Sequence, residues 1–215
     1  MCLRIEIPME TLLRRYTEIP YLIDYLYSEE LVLLNPSTWD DRNDSFYIEK
    51  YAKLSNIESV YALCLADCAE TYHHWRVFSH GSGGACIQFN RDKFMAAISK
   101  VDGLRAEKVS YRTIQQLRDQ EPRLNDLPFL KRYAFQHENE FRLFYPLKTK
   151  GELIHRIPVP LSCIDRVILS PWLPKSVSDR VKKTLKSIPK CSKVKIYRST
   201  LVENEDWKKL ATGNT

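Results

Sequence analysis

Residues 71–89 read TYHHWRVFSHGSGGACIQF. Tyr72, Trp75 and Phe78 recur every three residues, which places them near one face of a helix. Gly81, Gly83 and Gly84 then break that period, because glycine takes positive φ without a Cβ clash. Ala85–Phe89 follows as a short apolar run of strand type. Helix, turn and strand thus succeed one another within nineteen residues, and the chain must mix both element types at short range. The same stretch holds three of the five histidines, one of the four tryptophans and three of the six glycines. It reads either as one wall of a site or as a helix–strand junction whose aromatics are core and whose glycines only turn the chain.

Upstream, Pro8–Arg15 and Ile19–Tyr27 read as two short helices, with Pro20 in the first turn of the second. Leu31–Leu34 is a strand ended by Asn35-Pro36-Ser37, where proline pushes the preceding residue out of helical space. Trp39–Asp44 is a polar loop, and Asp44 is placed to cap a helix over Ser45–Lys53. Val60–Leu65 is a buried strand. Downstream, Arg91–Lys100 has one apolar face, Glu107–Tyr111 is a strand and Leu130–Gln136 a helix. Phe141–Tyr145 and Ile154–Val159 are strands joined by a turn at Lys148–Gly151. Ile164–Leu169 is a buried strand. Ser176–Asp179 reads as a capping box that opens a basic helix running to Ile188, and Lys193–Tyr197 is the last strand. The sum is an α+β fold with a largely antiparallel sheet, N-terminal helices and a C-terminal basic helix. The expected organisation is one globular domain over 1–202 and a polar tail over 203–215, from which Trp207 could dock.

The bulk numbers agree with a globular chain. Of 215 residues, 44% are hydrophobic and 28% charged, enough to bury a real core. No apolar run approaches the length needed to cross a bilayer. The first eight residues, MCLRIEIP, put an acidic residue and a proline where a secretory signal would have its apolar run, so the expected location is the cytoplasm and no membrane partner is expected. The six cysteines include no CxxC pair; Cys64 and Cys68 are spaced CxxxC without a second pair, so buried thiols are expected rather than a zinc site. The net charge of +6 is uneven: residues 156–215 carry 13 Lys/Arg against 5 Asp/Glu. That end is either a solvated basic face or a contact for nucleic acid through Lys182, Lys183 and Lys186.

Three segments could carry chemistry. The glycines of 81–84 could cradle an anion, but they match neither a Walker loop nor GxGxxG. His73 and His74, about 100° apart on a helix, cannot readily chelate one metal. The second segment is His137-Glu138-Asn139-Glu140-Phe141-Arg142. Along a strand, Glu138, Glu140 and Arg142 share a face; two carboxylates so placed can divide roles, and Arg142 offers a fork for a carboxylate or phosphate. The bland reading is a charge ladder facing water. The third, Trp39–Asp44, is rich in Asp but lacks the glycine of a calcium loop. A metal-dependent nuclease built from Asp41, Asp44, Glu138 and Glu140 is a further alternative, although ExE without a following lysine matches such sites poorly.

In this order the three segments resemble a bacterial family catalogued as domain of unknown function 2971. The resemblance covers roughly residues 10–190. It rests on Leu31–Pro36 with Trp39–Asp44, on Trp75 through Phe89, on Phe135 through Arg142, and on Ile164–Leu169 with its following helix. The chain departs by carrying Arg76-Val77-Phe78 where the family more often has Ser-His-Tyr; His73 and His74 lie close to the missing histidine. More distantly, the layout is similar to ADP-ribosyltransferase folds, which implies a split sheet and cleavage of NAD⁺ at the nicotinamide–ribose bond. On that resemblance Glu140, helped by Glu138, is the catalytic carboxylate. Tyr72 or Trp75 would lie against the nicotinamide, and Arg76 or Arg142 would hold phosphate. NAD is the implied cofactor, no metal is implied, and a toxin or phage-defence role is the implied setting.

Overall fold

The computed structural model describes residues 11–212. Cys2, residues 8–10 of the first expected helix and residues 213–215 of the tail lie outside the described residues. In chain order the elements are β1 (Leu12–Glu18), α1 (Ile19–Ser28), β2 (Glu30–Leu34), α2 (Arg42–Leu54), β3 (Ser59–Ala66), α3 (Tyr72–Phe78), β4 (Gly84–Asn90) and α4 (Arg91–Ile98). Then come β5 (Arg105–Lys108), β6 (Ser110–Arg112), α5 (Ile114–Asp119), β7 (Leu130–Arg132), β8 (Glu140–Leu147), β9 (Ile154–Pro158), β10 (Ile164–Leu169), α6 (Lys175–Ser187), β11 (Ile196–Arg198) and α7 (Glu205–Thr212).

Among the described residues nine strands form one sheet, antiparallel throughout except where β11 runs parallel to β10. Strand β3 is its organiser. One edge of β3 pairs with β8 along its whole length, from Ser59↔Leu147 to Ala66↔Glu140. The other edge is shared: β1 meets it at Ala66 and β2 at Ala62. The sheet therefore splits between β1 and β2, with β1-β4-β10-β11 on one side of the division and β2-β9 on the other. The fold is α+β with a mostly antiparallel, split sheet.

Strand alternation sorts the core into two faces. Leu63 and Leu65 pack with Leu22 and Leu26 of α1, Phe94 and Ile98 of α4 and Leu185 of α6. Ala62 and Ala66 point the other way, Ala62 to Ile48 and Tyr51 of α2 and Ala66 to Trp75 of α3. Among the described residues α2, α3 and the segment Leu124–Phe129 cover that second face, and the buried charges described below lie on it.

Gly84 is required by packing. A Cβ there would lie 2.6 Å from Ser79 Oγ and 2.8 Å from Ser79 Cβ, whereas one on Gly83 would meet nothing within 4 Å. Gly84→Ala is expected to cost about 1–3 kcal/mol through overpacking, and Gly83→Ala to change little. Thermal denaturation of the two variants checks this; equal melting temperatures would place the α3–β4 junction elsewhere.

Several expectations are corrected. The described part of Pro8–Arg15 is not helical: Leu12–Glu18 is a strand paired with β4 at seven positions. Leu13 packs into one core face and Tyr16 into the other, an alternation that the two arginines disguise. The cap of α2 is Asp41, whose Oδ1 accepts from the backbone N–H of Asn43 and Asp44; Asp44 is inside the helix and buried. Leu130–Gln136 opens as strand β7, held by parallel pairing with β6, and continues as a 3₁₀ turn over Tyr133–Glu138. Glu107–Tyr111 is divided between β5 and β6. The Ser176–Asp179 capping box does not form, because α6 begins at Lys175 after Pro174 and no side chain caps it. Residues 205–212 are helical, and Trp207 is not docked but 78% exposed. Among the described residues no helix is long and apolar enough to cross a membrane.

Candidate active site

Alternation along β8 puts Glu140 and Arg142 on the face covered by α2 and α3. Asn139, at φ 43°, takes the left-handed conformation that asparagine tolerates. This turn brings Glu138, at the end of the preceding 3₁₀ segment, alongside Glu140. Strand β7 adds Lys131 and α2 adds Asp44. Lys131 Nζ lies 2.6 Å from Glu138 Oε2, 3.4 Å from Glu140 Oε2 and 3.7 Å from Asp44 Oδ2.

Arg142 is fully buried and donates every N–H that it has. Nε bonds Glu140 Oε1 at 2.6 Å, Nη1 bonds Asp44 Oδ1 and the Pro128 carbonyl at 2.8 Å each, and Nη2 bonds Asp44 Oδ2 at 2.6 Å and Glu140 Oε2 at 3.0 Å. The Trp39 ring covers the guanidinium, its centroid 5.0 Å from Cζ. A buried charge is tolerated only when it is paired and its donors are satisfied, and Arg142 meets both conditions.

The cluster contains three carboxyl groups and two cations, so with all groups ionised one negative charge is left over. Its two glutamates diverge accordingly. Burial raises the pKa of both. For Glu140 this is overcome by the charge and hydrogen bonds of Arg142 and by Lys131, which hold the carboxyl down at about 2. For Glu138 burial prevails, aided by the neighbouring Glu140 and Asp44 charges and opposed by Lys131, and the pKa is raised. A carboxyl pair with opposed shifts is the arrangement that separates an ionised group from a proton carrier. The linkage to folding has opposite signs for the two. Glu140 favours folding fully above its ordinary 4.5, and this contribution disappears as pH falls towards about 2. Glu138, with its folded pKa raised, weighs against folding once ionised, and this is relieved on protonation. Urea denaturation between pH 6 and pH 2.5 should therefore show an acid loss of stability that Glu140→Gln makes shallower; an unchanged slope would mean that Glu140 is not clamped.

Glu138, Glu140 and Lys131 form one wall of a cavity of about 50 Å³, room for a few waters. Arg14, Arg15 and Tyr16 of β1, Cys64 of β3, and His74 and Phe78 of α3 also line it. Arg15 Nη1 donates to the Cys64 carbonyl at 3.3 Å, and Arg14 donates to the Cys68 carbonyl. The Tyr16 ring stacks on His74 at 5.4 Å. His74 Nε2 lies 2.8 Å from the Glu138 carbonyl oxygen, which can only accept, so Nε2 carries the proton and Nδ1 accepts from the Thr71 hydroxyl at 2.5 Å. Burial lowers the His74 pKa and keeps the ring neutral. The histidine thus fixes the backbone of Glu138 and leaves the carboxyl to Lys131 and the cavity.

The structure brings together Glu138, Glu140 and Arg142, but not the other expected ligand contacts. Trp75 has no exposed surface and donates its indole N–H to Glu70 at 2.6 Å, so no ring can stack on it. Arg142 has no donor left for a phosphate. Tyr72 and Arg76 lie on the outer side of α3, about 200° round from His74 and Phe78. There Arg76 Nε donates to the Tyr72 hydroxyl, and the guanidinium sits 4.2 Å over the Trp172 ring. Asp41 is committed to its cap, and Asp44, Glu138 and Glu140 already face Lys131 and Arg142, which opposes the nuclease reading. Among the described residues no group of three or more His, Cys, Asp or Glu could hold a metal ion. On α6, Lys183 and Lys186 are exposed, while Lys182 is half-buried and 3.4 Å from Asp179.

Sequence reasoning missed Lys131, the pairing of Asp44 with Arg142, and the wall formed by Arg14, Arg15 and Tyr16. A strand reading of LLRRYTE would have put Arg14 and Tyr16 on one face.

Of the ion cluster, Lys131, Glu138, Glu140 and Arg142 belong to one stretch of chain, and Asp44 lies outside it. Residues 74–143 match a family model described as Protein of unknown function (DUF2971). The DUF2971 stretch is narrower than the 10–190 span of the resemblance, and it contains His74, Lys131, Glu138, Glu140 and Arg142. No curated protein matches the chain significantly. Among solved structures the chain is similar to Thermus sp. 2.9 DarT in complex with NAD⁺, with 12% identity and a TM-score of 0.45 over 93% of this chain and 98% of that one. It is similar also to the same protein in complex with ADP-ribosylated ssDNA, with 12% identity and a TM-score of 0.45 over 92% and 96%.

Proposed function

We propose that the cavity is the reacting end of an enzyme that cleaves an N-glycosidic bond, with NAD⁺ as substrate and transfer of ADP-ribose, or its hydrolysis, as outcome. The observation that carries this reading is the pair Glu138 and Glu140 on one cavity wall, with opposed pKa shifts and one excess negative charge. In NAD⁺ the nicotinamide leaves with the bonding electrons as a neutral base, and positive charge develops on the ribose carbon. Glu140, held ionised, faces that charge at a fixed position; preorganised charge is the effective form of such stabilisation. Glu138 has one oxygen outside the Lys131 contact and accepts the proton of the attacking hydroxyl or water. Arg14 and Arg15, which also line the cavity, would supply the cationic surroundings for the pyrophosphate.

The size of the cavity limits what enters. It admits one edge of a ribose, and the remainder of a dinucleotide would lie outside, past the partly exposed Phe78. Incubation of the protein with NAD⁺ alone and with cell extract, followed by chromatography, should show free nicotinamide accumulating in proportion to enzyme. Absence of release under both conditions would overturn the reading.

A further inference from the structure

A second concave surface lies beside the cavity and shares Lys131 with it. It measures about 510 Å³, and its lining includes Arg42, Phe46 and Tyr47 of α2, Arg112 of β6, and Lys131 and Arg132 of β7. Three arginines are therefore drawn together from three elements. All three are exposed, and none makes a side-chain hydrogen bond or ion pair within the described residues. Among the described residues no Asp or Glu lines the groove. Other arginines of this protein are matched by carboxylates: Arg142 by Asp44 and Glu140, Arg156 by Asp24, Arg166 by Asp165. Like charges left together without counter-charges repel one another, and an anionic partner turns that repulsion into attraction.

The rings decide which anion fits. Phe46 is 60% exposed in the groove, and Tyr47 lies beside it with ring centroids 6.2 Å apart. An exposed phenyl flanked by unpaired guanidinium groups offers a stacking surface beside phosphate contacts, which is how unpaired bases on a charged backbone are held. An acidic peptide would use the arginines but gain little from Phe46.

We infer that this arginine groove binds single-stranded nucleic acid, with Arg42, Arg112 and Arg132 on phosphates and Phe46 under a base. The surface is distinct from the basic helix α6. A strand lying in it would pass Lys131, the residue that also faces Glu138.

The test is fluorescence anisotropy of labelled single-stranded DNA and RNA 12-mers with the full chain, without NAD⁺, between 50 and 200 mM salt. Binding should weaken steeply with salt. The variant Arg42→Gln/Arg112→Gln/Arg132→Gln should reduce affinity at least about thirtyfold and flatten the log–log salt slope by about 0.7 for each phosphate no longer neutralised. Phe46→Ala should cost about tenfold, with a smaller change in slope. Lys182→Gln/Lys183→Gln/Lys186→Gln should bind like the unaltered protein. Circular dichroism confirms that each variant is folded. The inference is overturned if the arginine variant binds undiminished, if the α6 variant is the one that loses affinity, if duplex of the same length binds as tightly, or if polyglutamate displaces the strand at equal charge. Because no NAD⁺ is present, failure here leaves the proposed glycosidic chemistry standing, and absence of nicotinamide release leaves this groove standing.

Discussion

Arg142→Met lowers stability by about 3–5 kcal/mol, the cost of leaving buried carboxylates without their partner. For a chain of this length that is a fall in melting temperature of roughly 6–20 °C. The side chain that remains is similar in volume and apolar, so packing changes contribute little. What disappears is five hydrogen bonds and the positive charge between Asp44 and Glu140. Arg142→Lys is expected to recover only part of this, because an ammonium has three donors and cannot fork to two carboxylates at once. Adding Asp44→Asn and Glu140→Gln to Arg142→Met should restore stability relative to the single variant, since the stranded charges are then removed. A scanning calorimetry trace for Arg142→Met within about 1 kcal/mol of the unaltered protein would mean that the cluster is not assembled in this way.

Glu138→Gln gives the largest expected change in activity, a fall in nicotinamide release of about 10²–10⁴-fold. Its carboxyl keeps an oxygen clear of Lys131, and its raised pKa suits a group that takes up a proton. The substitution is close to isosteric and keeps a carbonyl oxygen for Lys131, so the melting temperature should hold within about 2 °C. Glu140→Gln should also abolish release, but with a loss of stability, because it removes one of the two carboxylates that pair with the buried Arg142. The contrast separates the two roles: a loss of rate alone at Glu138, a joint loss at Glu140. The rate should also fall as pH drops through the raised pKa of Glu138, since only the ionised carboxyl accepts a proton. Full activity in Glu138→Gln would remove it from the chemistry, and an equal melting shift in both variants would reduce the pair to a structural ion cluster.

The apolar strands could be read from the sequence because their side chains state their burial. Val60–Leu65, Ala85–Phe89 and Ile164–Leu169 correspond to β3, β4 and β10. Strand β1 could not, because Arg14 and Arg15 occupy the middle of a central strand, where charge normally signals a surface. Three-residue β7 exists only because β6 lies beside it, and no local preference reveals such a pairing. Of the site, alternation alone put Glu140 and Arg142 on one face. What alternation could not show is that Arg142 would be saturated from within: its second carboxylate is 98 residues away in sequence. Phosphate binding by Arg142 is reasonable from the fork of the side chain and is excluded by the carboxylates around it. The same holds for Trp75, whose spacing is right for a surface stripe but whose indole the chain buries under Glu70.

The distance in sequence between Asp44 and Arg142 is also a distance in time. A ribosome adds about 5–20 residues each second, so roughly 5–20 s separate the synthesis of the two. Until Arg142 and β8 emerge, β3 lacks the partner along its full-length edge, and Asp44 and Lys131 have no guanidinium to close the cluster. The cavity cannot assemble on a nascent chain that stops before about residue 147, so a polypeptide released early lacks it altogether.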